Sequence, residues 1–170
     1  MQASMVAGRA EALGLRANSV DVAWLSTVLH HFGDPQACVS ELQRVVNSGG
    51  VVLIRGMFVE LGQLGWLPYF PDADAVREIF PSATKTTAMF EASGFELIGT
   101  LEVEGSDLSN AGEAVRWVRQ MRHADTLLLA FSEAEYQAGL SALEAASPDQ
   151  FLTDRLALLA FRKVSDRTVG

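Results

Sequence analysis

The stretch Ser19-Val20-Asp21-Val22-Ala23-Trp24-Leu25, with Asp34-Pro35 after it and Ser48-Gly49-Gly50-Val51-Val52-Leu53-Ile54-Arg55 beyond, decides the fold. Val20–Leu25 is a short apolar run behind the turn-like Arg16-Ala17-Asn18-Ser19 and reads as a buried strand. Asp34 suits an N-cap, and Pro35 suits the first helical position, where no N–H is needed. Val39, Leu42, Val45 and Val46 then recur at helical spacing. Ser48-Gly49-Gly50 is expected to end that helix, since glycine accepts the left-handed conformation. Val51–Arg55 reads as a second strand. Strand, helix and strand together suit a right-handed parallel crossover with both strands buried on two faces.

Outward from this unit the pattern stays α/β. Residues 57–72 read as an aromatic loop, with Asp72 expected to cap a short helix over Ala73–Phe80. A helix is expected over Thr86–Ser93 and stopped by Gly94, then a strand over Phe95–Val103. Ala111–Phe131 reads as helical with a break near His123. Ser132 and Glu135 match a capping box, with Tyr136, Leu140 and Leu143 following at helical spacing. Leu156–Phe161 reads as a last strand, antiparallel to the preceding one at the edge of the sheet. One domain is expected over residues 1–164, with a helical insertion at about 105–150 and a frayed tail over 165–170.

Composition narrows the function. The chain has 170 residues, 49% of them hydrophobic, and a mean hydropathy of +0.17, which excludes wholesale disorder. Its 21 acidic and 13 basic residues give a net charge of -8, against nucleic acid and anionic membranes as partners. A single cysteine, Cys38, rules out an intrachain disulfide and suits a reducing, cytoplasmic setting. No secretory leader and no run of transmembrane length stands out. The chain has no G-x-S-x-G elbow, P-loop, H-E-x-x-H or C-x-x-C, and no spacing of Cys and His that would hold a metal.

Several short motifs then fall in a recognisable order. They are Gly8-Arg9-Ala10-Glu11-Ala12-Leu13, Ser19–Trp24, Leu29-His30-His31-Phe32, Asp34-Pro35, Glu41-Leu42, Arg44-Val45 and Gly49-Gly50. Phe80-Pro81-Ser82, Glu91-Ala92-Ser93-Gly94-Phe95 and Leu156–Lys163 follow. The ordered set resembles the class I S-adenosylmethionine-dependent methyltransferase family from its third strand to its seventh. The resemblance implies a Rossmann-like methyltransferase sheet with helices on both faces. The family's opening glycine-rich turn, and the acidic residue that binds the cofactor ribose, have no counterpart here, so an N-terminally truncated domain is expected. Val20–Leu25 would then carry an open edge suited to self-association.

The resemblance also implies roles. Arg9, Ala10 and Glu11 would line the adenine pocket, chiefly through backbone groups; Arg9 stands where the family often has an acid. Leu25 and Ser26, with Thr27, end the central strand, where ligands of open α/β sheets bind. His31 would touch the cofactor or cap the helix locally; as a bland alternative it is a satisfied structural histidine. His30 is a candidate for the substrate pocket, and an imidazole in general can act as a base near neutral pH. Trp66 and Tyr69, in the aromatic loop with Phe70, form either a substrate lid or ordinary core. Arg116, Arg119 and Arg122 recur every three residues and read best as a solvated helix face. No catalytic residue is singled out.

The function implied is methyl transfer from S-adenosylmethionine to a small-molecule nucleophile, incomplete in this chain alone. The other reading is a non-catalytic, methyltransferase-like binding or oligomerisation module.

Overall fold

The computed structural model describes residues 7–105 and 108–164. In chain order the elements are β1 (Val20–Ser26), a 3-10 turn (Leu29–His31), α1 (Pro35–Val45), β2 (Val46–Gly56), a second 3-10 turn (Leu67–Tyr69), α2 (Ala73–Arg77), α3 (Ala83–Ala92), β3 (Phe95–Glu104), α4 (Ala111–Met121), α5 (Thr126–Ala130), α6 (Glu133–Glu144) and β4 (Arg155–Lys163). The expected frayed tail over 165–170 lies outside the described residues.

The crossover is as expected. β1 and β2 are parallel neighbours, with Ala23 opposite Val52 and Leu25 opposite Ile54. Asp34 caps α1 through Oδ1, which accepts the Ala37 N–H at 2.9 Å, and Pro35 opens the helix. The sheet order is β1-β2-β4-β3. Val164 N–H bonds Gly94 O and Gly105 N–H bonds Asp154 O, so β4 runs antiparallel to β3, which forms one edge.

Two expectations about the crossover are corrected. Gly49-Gly50 does not end α1. The helix stops at Val45, and β2 already starts at Val46, five residues before Val51. The glycines form an irregularity inside β2 instead. Gly49 sits at φ +77°, and a Cβ on Gly50 would lie 2.9 Å from Asp21 O. The register there jumps from Val20 opposite Val46 to Val22 opposite Val51.

The helix can stop without glycine because its last carbonyls, which have no intrahelical partner, are all satisfied from elsewhere. Leu42 O accepts from Val46 N–H, Arg44 O from Asn18 N–H and Val45 O from Ser19 N–H. Lys163 Nζ, from the end of β4, takes Gln43 O at 2.5 Å and Val46 O at 2.9 Å, with Asn18 Oδ1 at 3.0 Å. A cation at a helix C-terminus also opposes the helix dipole favourably.

The second correction concerns β1, which is not buried on two faces. It is the other edge of the sheet among the described residues, and Val22 and Trp24 are 56% and 54% exposed.

Packing groups the described residues into two compact units, the first holding 7–56, Ser82–Leu101 and 158–164. Its core joins Val39, Leu42 and Val45 of α1 with Val52 and Ile54 of β2. Phe90 of α3 stacks on Phe161 of β4 at 4.3 Å between centroids and meets Phe95 edge-on at 5.4 Å. Truncating so completely buried a phenylalanine costs about 3–5 kcal/mol. α3 begins at Ala83, three residues before the expected Thr86, because Ser82 Oγ accepts the Lys85 N–H.

The second unit holds Met57–Pro81 and Glu102–Ala157. Its core gathers Trp66, Phe70, Val118, Leu128, Phe131 and Leu143. Phe70 lies so close to α6 that a Cβ on Gly139 would sit 2.3 Å from its ring. The expected break near His123 is present between α4 and α5, and the capping box of Ser132 and Glu135 is formed. Asp72 is corrected: it precedes a helix that ends at Arg77 instead of Phe80, sits at φ +52° and makes no capping bond through its side chain.

Arg122 departs from the solvated-face reading. Its side chain is 14% exposed and lies over the Tyr136 ring at 4.4 Å, and its guanidinium reaches Leu128 O and Phe131 O. Arg119 remains on the surface, paired with Glu144 at 2.5 Å.

Candidate functional site

The carboxyl end of β1 departs from regular strand geometry. Ser26 still pairs with Arg55, and Thr27 N–H still bonds Arg55 O at 2.8 Å. Thr27 then turns to φ +55°, a left-handed conformation that is an outlier for a β-branched residue. Backbone strain of this kind is of order 1–3 kcal/mol and persists only where the surroundings fix it. Here the β1–β2 ladder fixes it on one side and buried Leu29 anchors the next turn on the other. Leu25 is buried beneath the turn. Ser26 is half-buried, and its Oγ accepts from Arg55 Nη1 at 3.3 Å.

His30 and His31 follow in the first 3-10 turn, their ring centroids 3.9 Å apart and tilted by 45°. His30 is half-buried and His31 exposed.

The Arg9-Ala10-Glu11 segment is a tight turn, closed by Ala12 N–H on Arg9 O at 3.1 Å. Arg9 is exposed and pairs with the largely covered Glu11 carboxylate at 3.4 Å. The turn leads into a staple on α1: Leu13 N–H donates to Glu41 Oε1 at 2.7 Å, and Arg44 donates to Leu13 O and Leu15 O. The Arg44 guanidinium, bonded to the Glu41 carboxylate, holds that carboxyl below its ordinary range, with the Leu13 N–H assisting. Burial, followed by the nearby charges of Glu11 and Glu41, pushes the Cys38 thiol up to about 11. Thus the Arg9–Glu11 turn is fastened to α1, whereas Ser26 is fastened to β2.

The residues assigned to a substrate pocket divide between the units: His30 is in the first, Trp66 and Tyr69 in the second. Trp66 is core, 1% exposed, with its ring 5.4 Å from Phe70 and 5.6 Å from Trp117. Tyr69 is half-buried and lines a cavity of about 470 Å³ with Gln63, Gln150, Phe151 and Thr153. Gln150 and Phe151 were not anticipated from the sequence, where they follow Pro148-Asp149 as ordinary turn residues. The described residues hold no cluster of three or more His, Cys, Asp or Glu able to bind a metal ion. No described helix is long and apolar enough to cross a membrane.

Residues 1–54 match the family model of a methyltransferase domain, a span that holds β1, α1 and nearly all of β2. The likeness to that family by sequence rests on this stretch, about a third of the chain. Solved structures of this fold extend the likeness beyond residue 54. A provisionally assigned methyltransferase of an antibiotic biosynthesis pathway from Anabaena variabilis superposes with a TM-score of 0.62 at 19% identity, covering 90% of this chain and 71% of that one. A provisionally assigned methyltransferase from Bacillus halodurans gives 0.55 at 18% identity over 93% and 70%. The cyclase SpnF gives 0.55 at 19% identity over 94% and 55%. The chain therefore spans about half of SpnF and about 70% of the other two. No curated protein matches it by sequence. At these identities the structures show the methyltransferase fold alone, and a cyclase among them illustrates that one fold hosts several reactions.

Proposed function

We propose that this methyltransferase domain transfers the methyl group of S-adenosylmethionine to a small-molecule oxygen, nitrogen or carbon nucleophile in the cytoplasm. The observation that carries the reading is the strained Thr27 at the carboxyl end of β1, within the stretch matched by the family model. Ligands of open α/β sheets bind at that end of the strands.

The residues present fit the cofactor in part. The Leu25–Thr27 turn would face its methionine end, Arg9-Ala10-Glu11 would flank the adenine, and His31 would border the site. The ribose finds less. Asp34 is engaged in capping α1, Glu11 is paired with Arg9, and Glu41 with Arg44. The cofactor, when bound, supplies an already activated methyl group on its sulfonium. The chain's contribution is to align the nucleophile with that carbon and to exclude water. His30, the half-buried histidine of the turn after β1, would be the candidate to take a proton where the nucleophile must lose one.

Titration of the isotopically labelled chain with S-adenosylmethionine, followed by amide NMR, tests this. Shifts are expected at Arg9–Glu11 and Leu25–His31, with weak affinity. Each ribose hydrogen bond to a carboxylate that is forgone weakens binding by roughly 1.5–3 kcal/mol. Unmoved amides at both segments at millimolar cofactor defeat the reading.

A second reading, an association module, has its own support. Val22 and Trp24 are exposed on a strand that ends the sheet among the described residues. The strand's only charge, Asp21, is engaged by Asn47 at 2.6 Å, and it contains no proline to block pairing. Sedimentation should show self-association that Trp24→Lys reduces. A monomer at every concentration, with freely exchanging amides over residues 20–25, refutes it.

A further inference from the structure

The cavity beside Tyr69 belongs to the second unit and is a built feature. Two chain segments far apart in sequence are clamped to form it. Gln63 N–H donates to Arg155 O at 2.8 Å, and Arg155 N–H returns a bond to Gln63 O at 2.7 Å. Asp154 Oδ1 takes the Gly65 N–H at 2.7 Å. The segments meet so closely at Gly65 that a Cβ there would sit 2.8 Å from Thr153 N. The space, about 470 Å³ and open to solvent on one side, falls within the range of small-molecule sites.

The chemistry of the lining is selective. None of the lining residues carries a charge. An ionised ligand would give up water there without an opposite charge in return. Phe151 is 74% exposed, more than any other large apolar side chain among the described residues, and it borders this space. An open aromatic ring at a cavity mouth offers a stacking surface. Gln150 Nε2 donates to Tyr69 Oη at 2.7 Å. The phenol oxygen is thereby used as an acceptor, and its own proton is left to donate.

We propose that this cavity binds a neutral, planar aromatic compound bearing a carbonyl oxygen, with the ring against Phe151 and the carbonyl accepting from the Tyr69 hydroxyl. This site stands on the second unit alone and does not depend on the methyl-transfer reading.

Benzamide is a suitable probe, with benzoate and benzylammonium as charged counterparts of the same size. In amide NMR titrations of the full chain, benzamide should shift Gly65, Phe151 and Thr153 and leave Leu25–His31 unmoved. Benzoate and benzylammonium should bind at least roughly tenfold more weakly, since an unpaired charge would be desolvated. Tyr69→Phe should weaken benzamide by roughly threefold to tenfold, the worth of one hydrogen bond. Phe151→Ala should weaken it at least as much, and because Phe151 is exposed the variant should melt with the parent. The proposal is overturned by equal binding of the charged probes, by shifts centred elsewhere, by no shift at the solubility limit, or by a folded Phe151→Ala variant of unchanged affinity. These amides lie in a different unit from those that read the cofactor titration, so failure of either proposal is seen separately.

Discussion

Replacing Lys163 with methionine keeps most of the buried stem and removes the ammonium that closes the end of α1. The side chain is 9% exposed, and its three donors are matched to Asn18 Oδ1, Gln43 O and Val46 O. Asn18 is exposed and can turn to water, so its loss matters little. The two backbone carbonyls cannot turn. Each buried acceptor left unsatisfied costs about 1–3 kcal/mol. Relief from burying a charge offsets part of this, so the net loss is expected near 3 kcal/mol. That is a large share of a typical domain stability of about 5–15 kcal/mol. For a chain of this size it lowers the melting temperature by roughly 6–12 °C. Urea unfolding followed by far-ultraviolet circular dichroism measures it, and Lys163→Arg, which keeps cationic donors, should recover part of the loss. A Lys163→Met variant within about 0.5 kcal/mol of the parent would refute the account of how α1 ends without a glycine.

Three further outcomes follow from named contacts. The Cys38 thiol, held up at about 11, should resist alkylation at pH 8 in the folded chain and react readily once urea unfolds it; rapid labelling of the folded chain contradicts its burial. Ser132→Ala removes a helix cap and should destabilise the second unit by about 1 kcal/mol at neutral pH. The Ser132 hydroxyl, with its backbone N–H, holds the Glu135 carboxyl below its ordinary 4.5. A carboxyl lowered in the folded state contributes stability above its unfolded value and loses it as pH falls through the folded one. Carbon NMR titration of Ser132→Ala should therefore show Glu135 moving up toward 4.5, with a smaller acid loss from this site. Thr27→Gly should relieve the left-handed strain and raise stability by about 1 kcal/mol in thermal unfolding, while Thr27→Ala, which keeps a Cβ at φ +55°, should not.

The features legible in the amino-acid order lie within a few residues of their signals. Asp34-Pro35 started α1, Ser132 with Glu135 started α6, and Gly94 at φ +85° followed α3. The parallel crossover was legible because a capped helix between two apolar runs leaves the chain few other ways to bury them. Gly49-Gly50 misled for a physical reason: a glycine pair marks a place where the backbone departs from helix or strand, without saying which departure occurs. The answer came from Lys163 Nζ, 117 residues from Val46, which satisfied the carbonyls that a glycine cap would otherwise have served. The candidate site divides in the same way. The Leu25–Thr27 turn could be named from the end of an apolar run, but the reversal at Thr27 follows from its bond to Arg55 on the neighbouring strand. Trp66 became core and Tyr69 a cavity wall, although they lie three residues apart in one aromatic loop. The arrival of Gln150–Thr153 against that loop made the difference, and nothing within either segment encodes the other. Local conformation is set by short-range sterics and hydrogen bonds. Which face is covered, which edge is left open and which side chains line a cavity are set by partners distant in sequence, and only the folded chain brings them together.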